Sequence, residues 1–367
     1  MEISRRQFLA MSSGLFFLDV SSIAAHSDTQ RILSCRSDHE GRHFFSQINY
    51  KNKTEADILL PQRGHGVSTT RDGRLAAVFA RRPGDFVWII DLETQQVMHK
   101  IHAPNERHYY GHGVFTGDGA ALLCSENAYE EGKGVIGVYD VHDNYKRVAE
   151  FESYGVGPHE IKLLPDSKTL VVANGGIDTH PDSPRVKLNL DSMRPNLAYI
   201  DIASGRLLHK HELEPELHQL SIRHIDISSS NTVAIAMQFQ GAANIHPPLI
   251  AIQRDDEPIK LLTAPDDVQT RLRNYCGSVV LSDDDSTFLV SSPRAGLTTL
   301  WSDDGVYLGA HGQADACGVA CLVDGRARFL ISDGTGAVTE LSHDLTSTVY
   351  YASQKWHWDN HLYISHS

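Results

Sequence analysis

One short phrase recurs seven times along the chain and restricts its fold more than any other feature. In each copy a glycine-rich or polar approach leads to one histidine or cysteine, followed by alternating residues, a turn and an apolar strand. The copies are centred on His65, His112, His159, His224, Cys276, Cys317 and His361. Successive centres are 47, 47, 65, 52, 41 and 44 residues apart. A repeat of roughly 40 to 50 residues made of short strands is typical of a β-propeller, whose blades contain four strands each.

The ends of the chain predict how many blades there are. Within the first repeat, four predicted strands are separated by turn residues: GVSTT, RLAAVFA, FVWIIDL and QVMHKIHA. The third repeat is longer because an insertion, GIDTHPDSPRVKLNLDSMRPN, separates its second and third strands. The C-terminal NHLYIS supplies one strand, and three strands precede the first repeat. We therefore predict an all-β, seven-bladed β-propeller closed by the C-terminal strand plus three N-terminal strands, which leaves no open joint in the ring.

The first residues of the chain predict export. Arg5 and Arg6 precede a short apolar run, and the sequence S-R-R-x-F-L resembles the twin-arginine signal of bacteria. The run contains several serines and Asp19, so it is too short and too polar for a stable membrane span. We predict a twin-arginine signal peptide over residues 1–27, a single propeller domain over residues 28–367, and a periplasmic location for the protein.

Composition excludes some function classes and favours others. A formal net charge of −13 argues against a nucleic-acid-binding protein, which needs an excess of lysine and arginine to displace counterions from phosphates. The 21 histidines favour a metal-binding protein, because a neutral imidazole is a common metal ligand. The five cysteines are scattered and odd in number, which argues against a framework of disulfides.

The centre of the repeated phrase predicts a ring of ligands. The first strand of each propeller blade lines the central channel, so the seven aligned residues are expected to face one another at one channel mouth. Imidazole and thiolate suit iron, copper or zinc, whereas calcium and magnesium prefer oxygen ligands. We predict a bound transition metal, iron or copper first and zinc as a further option. The alternative is a purely structural ring, and Cys276 also fits a small buried apolar residue.

Other polar residues are predicted to lie around the same mouth. They sit in loops between second and third strands or beside ring histidines, and are candidates to contact a cofactor or substrate. These candidates are Glu126, Asn174, His180, Arg223, Gln238 and Arg294. Glu160 and Arg223 each adjoin a ring histidine, where they would orient an imidazole or bind an anion. The segment from His108 to Tyr110 is predicted to be a loop that covers the mouth.

Several long phrases resemble one known family. They are YYGHGVF, LVVANGGIDTHPDSPR, KLNLDSMRPNLAYID, LHQLSIRH, NYCGSV and WDNHL, and they resemble the DUF1513 family of bacterial exported proteins over nearly the whole chain after the signal peptide. This family has no established function. The setting of its genes implies imelysin-like or di-haem, peroxidase-like periplasmic proteins as partners, and through them the handling of iron or another metal.

Two function classes follow from the sequence. The first is a metal-binding propeller in iron or copper handling or in metal-dependent redox chemistry, and the second is a non-catalytic scaffold that docks periplasmic partner proteins on its loops. A lactonase-like hydrolase is less favoured, because such propellers bind metal through carboxylate and amide side chains. The sequence contains no Gly-x-Ser-x-Gly elbow, P-loop or Cys-x-x-Cys-His haem motif, so whether the protein is an enzyme stays open.

Overall fold

Seven four-stranded antiparallel sheets make up the protein. The computed structural model describes residues 30–183 and 186–366. The sheets confirm the predicted seven-bladed β-propeller, with consecutive strands hydrogen-bonded within each blade. The predicted signal peptide, residues 1–27, lies outside the described residues. Among the described helices, none is long and apolar enough to cross a membrane.

The strands follow the chain blade by blade. The chain starts with the three outer strands of blade 7, which are β1 (Gln30–Asp38), β2 (His43–Asn49) and β3 (Glu55–Leu60). Blade 1 consists of β4 (Gly64–Thr69), β5 (Leu75–Ala80), β6 (Phe86–Asp91) and β7 (Gln96–His102). Blade 2 consists of β8 (Arg107–Phe115), β9 (Ala121–Ala128), β10 (Lys133–Asp140) and β11 (Lys146–Glu152). Blade 3 consists of β12 (Pro158–Leu163), β13 (Thr169–Asn174), β14 (Asn196–Asp201) and β15 (Arg206–Glu212).

The second half of the chain repeats the arrangement. Blade 4 consists of β16 (Leu220–Ile227), β17 (Val233–Phe239), β18 (Ile250–Gln253) and β19 (Lys260–Leu262). Blade 5 consists of β20 (Ser278–Leu281), β21 (Thr287–Ser292), β22 (Leu297–Ser302) and β23 (Tyr307–Gly312). Blade 6 consists of β24 (Ala316–Cys321), β25 (Phe329–Asp333), β26 (Ala337–Leu341) and β27 (Ser347–Ala352). The last strand, β28 (Trp356–His366), is the innermost strand of blade 7.

Within the described residues, helical structure is confined to the connections between strands. The helix α1 (Asp266–Arg271) joins blades 4 and 5. Short 3₁₀ turns lie at Leu190–Ser192, Pro215–Leu217 and Pro293–Ala295. The predicted insertion of blade 3 is the connection between β13 and β14, residues 175–195, which the structure describes apart from residues 184–185.

The two ends of the chain close the ring, as predicted. Strand β28 pairs with β1, which in turn pairs with β2. The buried Arg36 of β1 connects three strands of this blade. Its guanidinium lies 4.0 Å from the ring centroid of Trp356 on β28, and it bonds to Glu55 and Asp57 on β3 at 2.6 and 2.7 Å. A single cation on β1 thus links the last strand of the chain, β28, to β3.

The apolar faces of adjacent blades form the core. In blade 1, β5 is buried along most of its length, whereas the outermost strand β7 alternates between exposed and less exposed residues. That alternation is expected for a strand with one face in solvent. One large cluster of buried side chains spans blades 3, 4 and 5. Blade-to-blade packing therefore holds the innermost strands around the channel.

One local prediction was wrong. The segment from His108 to Tyr110 belongs to β8 instead of forming a loop, and Tyr109 pairs with Glu126 of β9. Tyr109 is buried, and its hydroxyl is 2.9 Å from that of Tyr139. The polar tips of these tyrosines find partners inside the blade, so the strand extends further than the hydrophobic pattern indicates.

Arg36→Ala tests the closure of the ring. We expect it to lower the free energy of unfolding by about 3 kcal/mol, because it removes a buried cation from two carboxylates and an aromatic face. Arg42→Ala, which removes an exposed arginine from the neighbouring hairpin, is the control and should have a much smaller effect. Urea denaturation measures both. Equal decreases in the free energy of unfolding of the two variants would contradict a special role of Arg36 in closing the ring.

Candidate functional site

A β-bulge lies at the predicted ring residue, or beside it, in six of the seven innermost strands. In β4, for example, the pairing passes from Gly64 and Ala80 directly to Val67 and Val78, so two residues oppose one. A bulge bends the strand and redirects a side chain. The pairing of β20 in blade 5 is regular from Ser278 onward. A bulge therefore lies at or beside the ring position in every blade except blade 5, and in five of these six blades that position is a histidine of the channel.

Two glycines allow the neighbouring histidines to approach each other. Gly111 has a φ of +103°, and a Cβ atom there would lie 2.6 Å from Cδ2 of His65. A Cβ atom on Gly66 would collide with the carbonyl oxygen of Gly111 and lie 3.0 Å from Nδ1 of His112. Only glycine fits this close approach of β4 and β8. The GHG sequences in the first two repeats are thus explained by the space they leave for imidazoles.

Five imidazole rings meet on the channel axis. The ring centroid of His361 lies 4.5 Å from that of His65 and 4.8 Å from that of His112. The centroid of His224 lies 4.7 Å from that of His159. Two groups of three bring their ligand atoms within 4.8 Å of one another. We call His65, His112 and His361 the His65 triad, and His112, His159 and His224 the His159 triad. The structure thus brings all five predicted ring histidines together.

The two predicted ring cysteines lie outside both triads. Cys276 packs in the core cluster of blades 3 to 5, with its Sγ 3.7 Å from Oγ of Ser292. Cys317 directs its Sγ to the carbonyl oxygen of Asp315 at 3.0 Å. Burial raises the pKa of Cys276 to about 12 and also raises the pKa of Cys317, so both thiols stay protonated. We correct the predicted ring to five histidines, because neither thiol belongs to a group whose possible ligand atoms lie within 4.8 Å of one another.

Glu160 orients two of the imidazoles, as its position in the sequence predicts. Nδ1 of His224 donates a hydrogen bond to Oε2 of Glu160 at 3.2 Å, and Nδ1 of His112 lies 3.8 Å from Oε1. The backbone N–H of Ile225 also donates to Glu160 at 3.0 Å. Burial opposes the ionisation of Glu160, but the facing imidazole of His112, the bond from His224 and the charge of Lys162 outweigh it and lower the pKa of Glu160 to about 2. The carboxylate is therefore ionised and holds Nδ1 of His224 as a donor.

Asp359 has the same role for His65, although the sequence analysis did not single it out. Its Oδ1 lies 3.6 Å from Nδ1 of His65, and its other oxygen accepts a hydrogen bond from Arg63. Burial opposes ionisation here too, yet the facing His65 and the charge of Arg63 lower the pKa of Asp359. The sequence signal was the WDNHL phrase, in which Asp359 precedes His361 by two residues.

His159 has a different environment from the other four histidines. Arg223 donates a hydrogen bond from Nη1 to Nδ1 of His159 at 3.2 Å. A neutral imidazole that accepts at Nδ1 carries its proton on Nε2. The positive charge of Arg223 therefore repels a metal ion from His159. The proton on Nε2 also removes the lone pair with which that nitrogen would bind the ion.

Four of the five imidazoles in the cluster are held in the neutral state. Burial is the largest cause of a lowered pKa in four of its imidazoles, which are His65, His112, His159 and His361. Nε2 of His112 is buried and has no hydrogen-bond partner among the described residues. Nε2 of His361 lies 3.3 Å from Nε2 of His65. Neutral imidazoles whose ring nitrogens meet at this spacing have the ligand type and the geometry that could hold a metal ion.

Two cavities meet the cluster from different sides. The larger, of about 1110 Å³, reaches His65, His159 and His224. The smaller, of about 380 Å³, reaches His112 and Glu160. The histidine cluster therefore lies between two compartments of the channel, and the larger one is of a size typical of ligand pockets.

Three of the six predicted contact residues line the larger cavity. These are Arg223, Gln238 and Arg294. Gln238 donates from Nε2 to the carbonyl oxygen of Cys276 at 3.0 Å, and the guanidinium of Arg294 lies 4.2 Å from the ring centroid of Tyr275. Both side chains are thus fixed at the cavity wall.

The other three predicted contact residues do not line either cavity. Glu126 lies inside blade 2, where Arg147 and the hydroxyl of Tyr139 bond to its carboxylate at 2.8 and 2.6 Å. Asn174 donates to the carbonyl oxygen of Ser153 at 2.7 Å. His180 lies on the insertion, 3.4 Å from a carboxylate oxygen of Glu130. We correct these three assignments, because hydrogen bonds within the blade or insertion hold each side chain away from the mouth.

Comparison with known proteins agrees with the fold. Residues 58–365 match the model of a family described as a protein of unknown function, DUF1513. No curated protein matches the chain. Among solved structures, hydrazine synthase of Kuenenia stuttgartiensis is similar at 15% identity and a TM-score of 0.63, over 92% of this chain and 100% of that chain. A putative 6-phosphogluconolactonase from Bacteroides fragilis is similar at 12% identity and a TM-score of 0.62, over 93% of this chain and 98% of that chain. At these identities the likeness shows the fold alone.

The lowered histidine pKa values predict how the free energy of unfolding of the metal-free protein depends on pH. Below about pH 6.5 the histidines of the unfolded chain bind protons, whereas the buried histidines of the folded protein stay neutral. Their contribution to the free energy of unfolding is therefore fully present above this pH and is lost as the pH drops. Each such histidine should contribute a loss of about 1.4 kcal/mol per pH unit. Urea denaturation between about pH 7 and about pH 5.5 measures the slope. His112→Ala should reduce it and the exposed His142→Ala should not; an unchanged slope in His112→Ala would contradict the assignment.

Proposed function

The chain belongs to the DUF1513 family, and for this member we propose a metal-binding function centred on the His65 triad. The ion would be iron or copper, with zinc as the further option, since three imidazoles suit each of them. The protein would act in the periplasm, in metal handling or in metal-dependent redox chemistry, with imelysin-like or di-haem proteins as partners. The observation that carries the proposal is the pair of Nε2 atoms of His65 and His361, 3.3 Å apart.

That distance fits two ligands of one ion. Nitrogen atoms each about 2.05 Å from a tetrahedral ion lie roughly 3.3 Å apart. The third member, His112, has a buried Nε2 without a hydrogen-bond partner among the described residues. An orphaned acceptor of this kind costs stability unless something binds to it. A cation between the three nitrogens would satisfy all of them.

Asp359 supports the same choice of triad. Its carboxylate faces Nδ1 of His65, which favours a proton on Nδ1 and leaves the Nε2 lone pair directed at His361. Carboxylates commonly orient metal-binding histidines in this way. In the His159 triad, Glu160 faces His224 and His112, but Arg223 donates to Nδ1 of His159 and so places the proton of that imidazole on Nε2. We therefore place the ion in the His65 triad, with His159 and His224 beside it.

Three protein ligands leave a coordination position open, which is usual in catalytic rather than purely structural sites. His65 also lies on the wall of the larger cavity, so a small molecule in that cavity would reach the site. A bound iron or copper ion would supply Lewis acidity and one-electron redox chemistry. The chain's own residues would hold neutral imidazoles toward the ion and restrict the water that reaches it from either side of the channel.

Elemental analysis of the purified full-length protein tests the proposal. We expect close to one iron, copper or zinc ion per chain, lost in His361→Ala because a ligand of the His65 triad is missing. His159→Ala should retain the ion, since Arg223 excludes that residue from coordination. The exposed His142→Ala is the surface control. A metal-free wild-type protein with intact folding would favour the scaffold function, and loss of the ion in His159→Ala alone would assign it to the other triad.

Asp359→Asn tests the carboxylate behind His65. We expect metal affinity to fall by about 10- to 100-fold, because an amide no longer enforces the proton on Nδ1. The exposed Asp72→Asn should leave the affinity unchanged. Competition with a chromogenic chelator measures both. An affinity in Asp359→Asn equal to that of the wild type would exclude Asp359 as a positioning residue.

A further inference from the structure

The larger cavity has a strongly one-sided charge. Among its lining residues are seven arginines and lysines, and no aspartate or glutamate. The whole chain has a formal net charge of −13, so this concentration of cations runs against the composition of the protein. Chance placement of charged residues would have put carboxylates on the same wall.

Most of these cations lack a carboxylate partner. Arg63 is paired with Asp359. The other six make no ion pair within the part of the chain that the structure describes. They are Arg81, Arg82, Lys187, Arg223, Arg273 and Arg294. Elsewhere on the protein, cations such as Arg147 and Arg328 lie within ion-pairing distance of acidic residues. The cavity is therefore distinguished both by its charge and by the missing counter-charges.

Neutral groups hold several of these cations in place. Arg82 donates to Oγ1 of Thr179 at 3.2 Å, and Arg273 donates to the carbonyl oxygen of Arg294 at 3.2 Å. Nε of Arg223 is buried with no hydrogen-bond partner among the described residues. Burial is the main cause that lowers the pKa of Arg82, and the neighbouring charge of Arg81 lowers it further. The guanidinium groups of the cavity are therefore held in position before a ligand binds, and some of their N–H donors lack a hydrogen-bond partner.

We propose that this cavity binds a small polyanion that carries at least two carboxylate or phosphate groups. Guanidinium groups match the geometry of both anions, and several of them around one cavity favour a ligand with more than one anionic group. A volume of about 1110 Å³ fits a small molecule instead of a macromolecule. Arg223 would hold one anionic group next to His159, and Arg294 would hold another near the outer wall.

This inference does not require a metal in the histidine cluster. The cations come from the connections and strands of blades 1, 3, 4 and 5, and their charge is present with or without an ion. When both sites are filled, the anion and the open coordination position of the His65 triad would be neighbours, because His65 lines the same cavity. The proposed substrate class is then an anionic chelator or an anionic redox partner of small size.

Isothermal titration of the metal-free, full-length protein tests the inference. The probes are citrate, pyrophosphate and, as a singly charged reference, acetate. We expect citrate or pyrophosphate to bind at least about tenfold more tightly than acetate, and the tighter of the two assigns carboxylate or phosphate as the preferred group. The same titrations after metal loading separate this proposal from the metal-binding function, since anion binding should be present in both states.

Arg82→Gln and Arg294→Gln locate the binding site. Each should weaken the binding of the polyanion by about tenfold, because each removes a charged donor from the wall. Arg294 is exposed, so its variant is expected to fold even if the partly buried Arg82 is needed for stability. Arg206→Gln, on the exposed outer strand β15, is the control and should change affinity less than about twofold. Equal weakening in the control, or no polyanion binding above that of acetate, would overturn the proposal.

Discussion

Five imidazole rings share the channel axis with neighbouring centroids 4.5 to 6.0 Å apart, and this crowding governs the chemistry of the protein. Burial at such spacing lowers the pKa of four of the five histidines and keeps those four rings neutral. The ring nitrogens of neutral imidazoles are good ligands for a cation. The same crowding requires Gly66 and Gly111, since any Cβ there would push β4 and β8 apart. The two glycines of the sequence, the close approach of β4 and β8, and the neutral imidazoles of the site therefore depend on one another.

Charge is distributed unequally around this cluster. Glu160 lies with His112 on the side of the smaller cavity, whereas seven cations, only one of them paired with a carboxylate, line the larger one. Asp359 faces His65 and Arg223 faces His159, so five similar histidines have two different electrostatic environments. Under the two proposals made above, imidazoles would hold a cation and guanidinium groups would hold an anion beside it.

The propeller fold by itself does not assign an activity. Hydrazine synthase and a putative 6-phosphogluconolactonase share the architecture at 15% and 12% identity. A propeller offers the same channel and the same inner strands to many proteins, and the side chains aimed into the channel decide what binds there. In this chain six of the seven inner strands have a bulge at or beside the ring position, and five of those strands carry the channel histidines, so the bulges carry much of the functional information.

The sequence by itself determined the seven repeats, the closure of the ring by its two ends, and the five histidines on the axis, because strand periodicity and repeat spacing follow directly from the order of residues. Only the tertiary structure decided that Cys276 turns into the core, that Asp359 faces His65, and that cations from several blades surround one cavity. Those features depend on the direction of single side chains and on contacts between residues far apart in the chain. A repeat pattern specifies which strand a residue belongs to, but a one-residue bulge decides which way that residue points.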